Sequence, residues 1–182
     1  ACQVDHRTPP CMTMEELHNA LNGGWRRALE AVACMNKFDI RAMEVAPVDM
    51  PLDVFPLPRY EEIGRRIEER RLRAACRAAG THVHIECWGI EDAIRVYEAL
   101  RRHLDELSRL GDHSNGERLH LFRVVTDGQH IPPPIRSAHE LYETACRDGW
   151  VHDLGNCWYF LRISRHGTVE VRVFGATADT DK

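Results

Sequence analysis

A seven-residue stretch, Gly80 to Glu86, constrains the fold of this chain more than any other segment. Successive side chains of a β-strand point to opposite faces, so His82, His84 and Glu86 would share one face of a sheet. The residues between them are mostly apolar and suit a core. The stretch therefore predicts a strand with one face that could bind a metal ion and another that packs inside the protein.

A second strand with the same design is predicted near the end of the chain, from Thr168 to Phe174. Glu170 and Arg172 share one of its faces, opposite three valines. An acid beside a guanidinium is most often a surface ion pair. The functional alternative is a carboxylate that binds a metal and an arginine fork that binds phosphate, as phosphoryl transfer requires.

The other segments predict helices, further strands and one long loop. Thr13-Met14-Glu15-Glu16 and Ser137-Ala138-His139-Glu140 have the form of capping boxes at helix starts. The predicted helices are 13–35 with a weak point at Gly23-Gly24, 60–79, 90–110 and 137–149. The further predicted strands are 38–45, 119–125 and 157–163, the last joined to 168–174 as a hairpin through 164–167. Four prolines between residues 47 and 58 predict a loop.

Composition limits the class of protein. A chain of 182 residues with 43% hydrophobic and 29% charged residues is expected to form one globular domain, residues 1–182. A net charge of −4 indicates no general affinity for nucleic acid, and no apolar run predicts a membrane span. The seven cysteines are scattered without a CxxC pair, which favours reduced thiols and a cytoplasmic location.

The polar face of the 80–86 strand has three interpretations. Neighbouring side chains on one face lie roughly 7 Å apart, so one or two of them would join carboxylates from adjacent strands around Mg²⁺. A transition metal bound by His82, His84 and Glu86, as in a metal-dependent hydrolase or oxygenase, is the second. A plain solvent-exposed polar face is the third. Neither GxxxxGK[ST] nor GxGxxG occurs, so a nucleotide site would consist of charged strand faces.

The pairing of Gly80-Thr81-His82-Val83-His84 with a late Arg162-Ile163-Ser164 and Gly167-Thr168-Val169-Glu170-Val171-Arg172-Val173 resembles the carboxylate-amine ligase superfamily. This superfamily includes the glutamate–cysteine ligase-like proteins and the amidoligases. The order of elements agrees too: a proline-rich loop, a helix with Arg59, Tyr60 and Ile63, the G-T-H-V-H strand, a long helix and a final hairpin. The resemblance covers most of the chain.

The resemblance implies an α+β fold: a curved antiparallel β-sheet with helices packed on one face, like glutamine synthetase and glutamate–cysteine ligase. It also implies ATP and Mg²⁺ as cofactors and ATP-dependent amide formation. ATP would phosphorylate a glutamate-like acid, and an amine would then displace phosphate from the acyl phosphate. The expected partners are thus a small-molecule acid and an amine, and a homo-oligomer is compatible with this function.

The resemblance also implies a role for particular residues. His82 would lie at the site of the metal and the nucleotide, with His84 as a secondary nucleotide contact. Glu170 would ligate Mg²⁺. Arg172 would contact phosphate, and Arg162 would help bind the nucleotide or the acid, so both arginines are candidate catalytic residues.

The start of the chain departs from the family pattern. Asp5, in a predicted strand from Cys2 to His6, loosely matches a metal-binding glutamate that precedes a Thr-Pro turn. Family members usually begin with a G-x-E-x-E strand that supplies further metal ligands, and no such strand precedes Asp5. We therefore expect that this strand is missing from the sequence. The alternative function is a truncated or inactive ligase-like domain that acts as a binding module.

Overall fold

The computed structural model describes residues 5–37, 40–52 and 56–177, and within these ranges it contains eight α-helices and three β-strands. The helices are α1 (Met14–Leu21), α2 (Gly24–Met35), α3 (Pro58–Arg66), α4 (Glu69–Arg77), α5 (Ile90–Arg102), α6 (Leu104–Gly111), α7 (Glu117–Val125) and α8 (Ala138–Arg147). The strands are β1 (Gly80–Ile85), β2 (Leu161–Ile163) and β3 (Val169–Gly175). A short 3₁₀ helix spans Leu154–Asn156.

The three strands form one antiparallel sheet in the order β1-β3-β2. The strands predicted at 80–86 and 168–174 and the hairpin that joins the last two strands are confirmed, although β2 is shorter than predicted. The mixture of helices with a small antiparallel sheet agrees with the predicted α+β class.

The core lies between the sheet and the helices. Val169, Val171 and Val173 alternate along β3 and are almost fully buried, as the period of two predicts. They pack with α5, whose Tyr97 is also buried and donates its hydroxyl to the Pro133 carbonyl at 2.7 Å. This packing leaves the other face of β3 available for polar side chains.

Local sequence signals explain where several helices begin. The Thr13 hydroxyl accepts a hydrogen bond from the Glu16 amide at 3.1 Å, and Ser137 accepts one from Glu140 at 3.1 Å. Both predicted N-caps are therefore confirmed, while the carboxylates of Glu16 and Glu140 accept from the amides of Met12 and Arg136, one residue before each cap. The weak point predicted at Gly23-Gly24 is confirmed as well, since α1 ends at Leu21 and α2 begins at Gly24.

Other predicted elements were wrong. The strand predicted at 119–125 is helix α7, whose Leu121 and Val125 are four residues apart and pack on Ala74 of α4. The strand predicted at 38–45 is absent over 40–45, where only an isolated bridge joins Val45 to Ala78. The predicted helices 60–79 and 90–110 are each divided in two, and residues 2–4 of the predicted first strand lie outside the described residues.

No helix in the described ranges is both long and apolar enough to cross a membrane.

Candidate active site

Glu170 is the centre of the polar face of the sheet. On β3 it lies directly opposite His84 of β1 and directly opposite Arg162 of β2. Its side chain is on the face opposite the core valines, yet Glu170 is only 2% exposed. A buried carboxylate requires partners, because leaving it uncompensated would be costly.

Arg162 and His82 supply two of these partners. Arg162 donates from Nε to Glu170 Oε2 at 2.6 Å and from a terminal nitrogen to Oε1 at 3.3 Å, which is a bidentate pair. His82 Nδ1 lies 3.1 Å from Oε1. Side chains from all three strands therefore converge on one carboxylate.

Arg172 is the third basic group beside Glu170, and it is largely buried at 7% exposure. Its Nε lies 3.5 Å from Glu170 Oε1, without the geometry of a hydrogen bond. A terminal nitrogen donates to the carbonyls of Cys157 and Tyr159 at 3.1 and 3.4 Å. The guanidinium also lies over two aromatic rings, 5.8 and 5.9 Å from their centroids, those of Phe122 and Trp158.

A β-bulge places Arg172 beside His82. The register between β1 and β3 shifts between Thr81 and Val83, so that two residues of β3 oppose the single residue His82. Bulges bend a strand and re-aim its side chains, and they are frequent beside active sites. The sequence alone gives no sign of this bulge.

The electrostatics of the group follow from burial and from the three basic side chains. Burial alone would raise the pKa of Glu170, but hydrogen bonds from His82 and Arg162 and the charges of both arginines lower the pKa to about 2. Burial lowers the pKa of Arg172 to about 10, so it stays charged at neutral pH. One carboxylate beside two guanidiniums leaves an excess of positive charge.

His84 belongs to a neighbouring hydrogen-bond chain and does not bond to Glu170. Its Nδ1 lies 2.8 Å from the Thr168 hydroxyl, which lies 2.8 Å from the hydroxyl of Ser164. Partial burial lowers the pKa of His84; His82 and Arg162 lower it further, while Glu170 opposes them. The hydrogen bond with the Thr168 hydroxyl, which Ser164 holds in turn, fixes the orientation of the His84 ring.

Access to this face differs between its two sides. On the β2 side, the segment 154–159 covers the arginines, and Arg162 donates to the carbonyls of Leu154 and Cys157 at 2.7 and 3.0 Å. On the β1 side, the His82 side chain is 41% exposed. A ligand that approaches the cluster from solvent therefore meets His82 before it meets either arginine.

The chemistry of these donors suits an oxyanion better than a lone metal ion. Two guanidiniums match phosphate or carboxylate oxygens. Over the described residues, no three His, Cys, Asp or Glu side chains form a group that could hold a metal, so neither Asp5 nor the set His82, His84 and Glu86 completes one. A magnesium ion bound to Glu170 would need most of its oxygen ligands from elsewhere, such as phosphates and water.

Within the described part of the chain, the side chains that reach Glu170 are those of His82, Arg162 and Arg172, and all three were expected from the sequence. Their surroundings were not. The carbonyls of segment 154–159 hold both arginines, and Thr168 and Ser164 hold His84. The R-x-S and G-T-V-E-V-R-V motifs contain Ser164 and Thr168 beside the charged residues, which was the available signal. No sequence pattern marks the carbonyls.

Comparison with known proteins gives several relatives with similar names. The chain is 31% identical over 204 residues to "Putative glutamate--cysteine ligase 2-1" of Saccharopolyspora erythraea, with 99% of this chain and 51% of that protein covered. It is 28% identical over 195 residues to "Glutamate--cysteine ligase" of Natronomonas pharaonis, with 99% and 53% covered. A Rhodococcus jostii protein with the first name is 26% identical over 186 residues, with 94% and 50% covered.

The chain thus spans about half the length of these curated relatives. No protein-family model matches the chain, and neither does any solved structure.

Proposed function

Because the chain belongs to the glutamate–cysteine ligase-like family of carboxylate-amine ligases, we propose that it acts as an ATP- and Mg²⁺-dependent ligase. The reaction joins a glutamate-like acid to an amine through an acyl phosphate. The observation that carries the proposal is the convergence of Arg162, Arg172 and His82 on Glu170 in the middle of the sheet. The relatives' names supply the reaction class.

The residues of this face fit the phosphate end of a nucleotide. When bound, ATP would supply the phosphoryl group that activates the acid, and Mg²⁺ would offset the negative charge of the phosphates. His82 and Glu170 are the proposed contacts for the metal and the phosphates, and His84 is the proposed secondary contact. Asp5 is exposed, and its proposed role as a metal ligand depends on groups beyond this cluster.

The protein's own charges would act in two ways. The excess positive charge beside Glu170 stabilises negative charge that develops on a transferring phosphoryl group, and the low exposure of the cluster strengthens this effect. The carbonyls of segment 154–159 hold both guanidiniums in place before any ligand binds. Arg172 is so covered that its direct contact with a phosphate requires this segment to move.

One observation favours a second candidate, a ligase-like binding module without turnover. Both oxygens of Glu170 already accept from Arg162, and Oε1 also contacts His82. A carboxylate held this way is stable as a structural ion pair without a metal. The module would bind a nucleotide or an acid through the exposed His82 side of the sheet.

The experiment that tests the proposal measures ADP formation from ATP and Mg²⁺ against a panel of amino acids and amines. The ligase predicts ADP formation that depends on both an acid and an amine, and His82→Gln should lower kcat/KM at least about tenfold. The matched control is His139→Gln, an exposed histidine on α8 that also pairs with a glutamate. It should leave turnover unchanged.

Nucleotide binding measured by calorimetry separates the two candidates. Binding that His82→Gln weakens, with no ADP formed under any combination, would support the binding module and refute the ligase. Absence of both turnover and nucleotide binding would refute both candidates.

A further inference from the structure

A chain of two hydroxyl groups ends on the His84 ring. The Ser164 hydroxyl lies 2.8 Å from that of Thr168, and the Thr168 hydroxyl lies 2.8 Å from Nδ1 of His84. The β2–β3 hairpin brings the two hydroxyls together, since the Ser164 amide donates to the Thr168 carbonyl at 2.8 Å. His84 thus bonds diagonally to Thr168, although Glu170 lies directly opposite it on β3.

The direction of these hydrogen bonds follows from the buried end of the chain of hydroxyls. Ser164 is only 8% exposed, so its hydroxyl proton needs an acceptor inside the protein. Its oxygen accepts from the His166 amide at 3.1 Å, and the acceptor that the described residues offer to its proton is the Thr168 oxygen. Thr168 then donates its own single proton to Nδ1 of His84. The reverse direction would leave the Ser164 proton buried without an acceptor, which is costly.

Nδ1 of His84 is consequently an acceptor, and this decides the state of the ring. A neutral imidazole whose Nδ1 accepts carries its proton on Nε2. Among the residues that the structure describes, no group bonds to that Nε2. His84 shares a face of the sheet with His82 and Glu170, so the ring offers an uncharged N–H donor on the face of the candidate site. A nitrogen that carries a proton cannot ligate a metal ion.

We propose that Thr168 and Ser164 are positioning residues, which hold the His84 ring with its proton on Nε2 so that it donates to an anionic oxygen of the bound ligand. The oxygen belongs to a phosphate group or to the carboxylate of the acid. The identity of the ligand rests on the proposed function, whereas the two hydroxyls orient the ring with or without a ligand. The inference gives roles to two uncharged residues of the R-x-S and G-T-V-E-V-R-V motifs.

The test is the state of the two ring nitrogens of His84, measured by ¹⁵N NMR on the full chain without ligand. Protonated and unprotonated ring nitrogens have clearly separated ¹⁵N shifts. The signals of His84 among the 11 histidines are those that His84→Gln removes. We expect the proton on Nε2 in the wild type. The proton on Nδ1 would overturn the proposal, and this measurement does not depend on how the other variants fold.

Variants of Thr168 test whether the hydroxyl sets this state. Thr168→Val should shift the tautomer ratio roughly fivefold towards the form protonated on Nδ1, the size expected for one lost hydrogen bond, while Thr168→Ser should keep the wild-type ratio. The matched control is Thr81→Val, which removes a β1 hydroxyl that donates to the Gly175 carbonyl and should leave the His84 signals unchanged. A ratio that Thr168→Val leaves unchanged would overturn the positioning role.

Separate additions of ATP with Mg²⁺ and of glutamate identify the oxygen that the donor meets. A change of the Nε2 signal on addition of ATP shows a phosphate contact, and a change on addition of glutamate shows a carboxylate contact. No change with either would overturn the donor role. ADP formation separates this inference from the proposed function. An active ligase with the His84 proton on Nδ1 refutes the inference alone, and the expected tautomer without ADP formation refutes the ligase alone.

Discussion

Replacing Glu170 by glutamine tests the electrostatic centre of the site. The substitution keeps the shape of the side chain but removes the charge that two guanidiniums and His82 surround. The fall of the Glu170 pKa from 4.5 to about 2 corresponds to about 3.5 kcal/mol, at roughly 1.4 kcal/mol for each tenfold change in proton affinity. Because solvent on the His82 side screens part of this interaction, we expect Glu170→Gln to lower the free energy of unfolding by about 2–3 kcal/mol at neutral pH.

The pH dependence has a definite sign. A carboxyl whose pKa is lower in the folded state stabilises the fold at pH values above its unfolded pKa, here about 4.5. The contribution falls as the pH drops towards the folded pKa of about 2. The stability difference between the wild type and Glu170→Gln should therefore be constant above about pH 5 and shrink in acid.

Urea denaturation at a series of pH values measures this difference. The control is Glu143→Gln, which removes an exposed carboxylate that pairs with His139 and should cost less than about 0.5 kcal/mol. A loss below about 1 kcal/mol for Glu170→Gln at neutral pH would refute the reasoning. A loss that stays the same in acid would refute it too, because the effect would then be one of packing.

Three further predictions concern the framework of the site. Arg118 is 2% exposed and donates to three backbone carbonyls around the ends of β1 and β3. Arg118→Met should therefore lower the free energy of unfolding, measured with urea, by roughly 3 kcal/mol or more, and an unchanged urea midpoint would contradict this. Tyr97→Phe leaves the carbonyl of Pro133 without its donor and should lower the free energy of unfolding by about 1 kcal/mol. Full wild-type stability in this variant would contradict the prediction. Ser137→Ala removes the hydroxyl that accepts from the Glu140 amide and should lower the free energy of unfolding by about 1 kcal/mol. Ser137→Asp should keep most of the wild-type stability, since both serine and aspartate cap helices well.

Much of the fold could be read from local signals. The alternation of Val169, Val171 and Val173 marked β3, and hydroxyl residues three positions before a glutamate marked two helix starts. These signals work because each depends on a few adjacent residues whose geometry repeats in any protein. Local signals fail where the apolar residues follow neither the strand period nor the helix period strictly. Residues 119–125, predicted as a strand, form a helix because Leu121 and Val125 pack against α4.

The site shows the same division. Sequence alone determined which residue types are present and which share a strand face, as Glu170 and Arg172 do. The resemblance to the carboxylate-amine ligases then brought His82 and Arg162 together with them. The relatives confirm the family to which those residues pointed.

Only the tertiary structure decided how these side chains meet. The strand order placed Glu170 between β1 and β2, the bulge set Arg172 beside His82, and backbone carbonyls of segment 154–159 covered the arginines. Strand pairing, bulges and carbonyl contacts join residues far apart along the chain, and backbone groups are identical in every residue. For this reason no local pattern of side chains could have predicted that Glu170 would be buried and Val83 exposed.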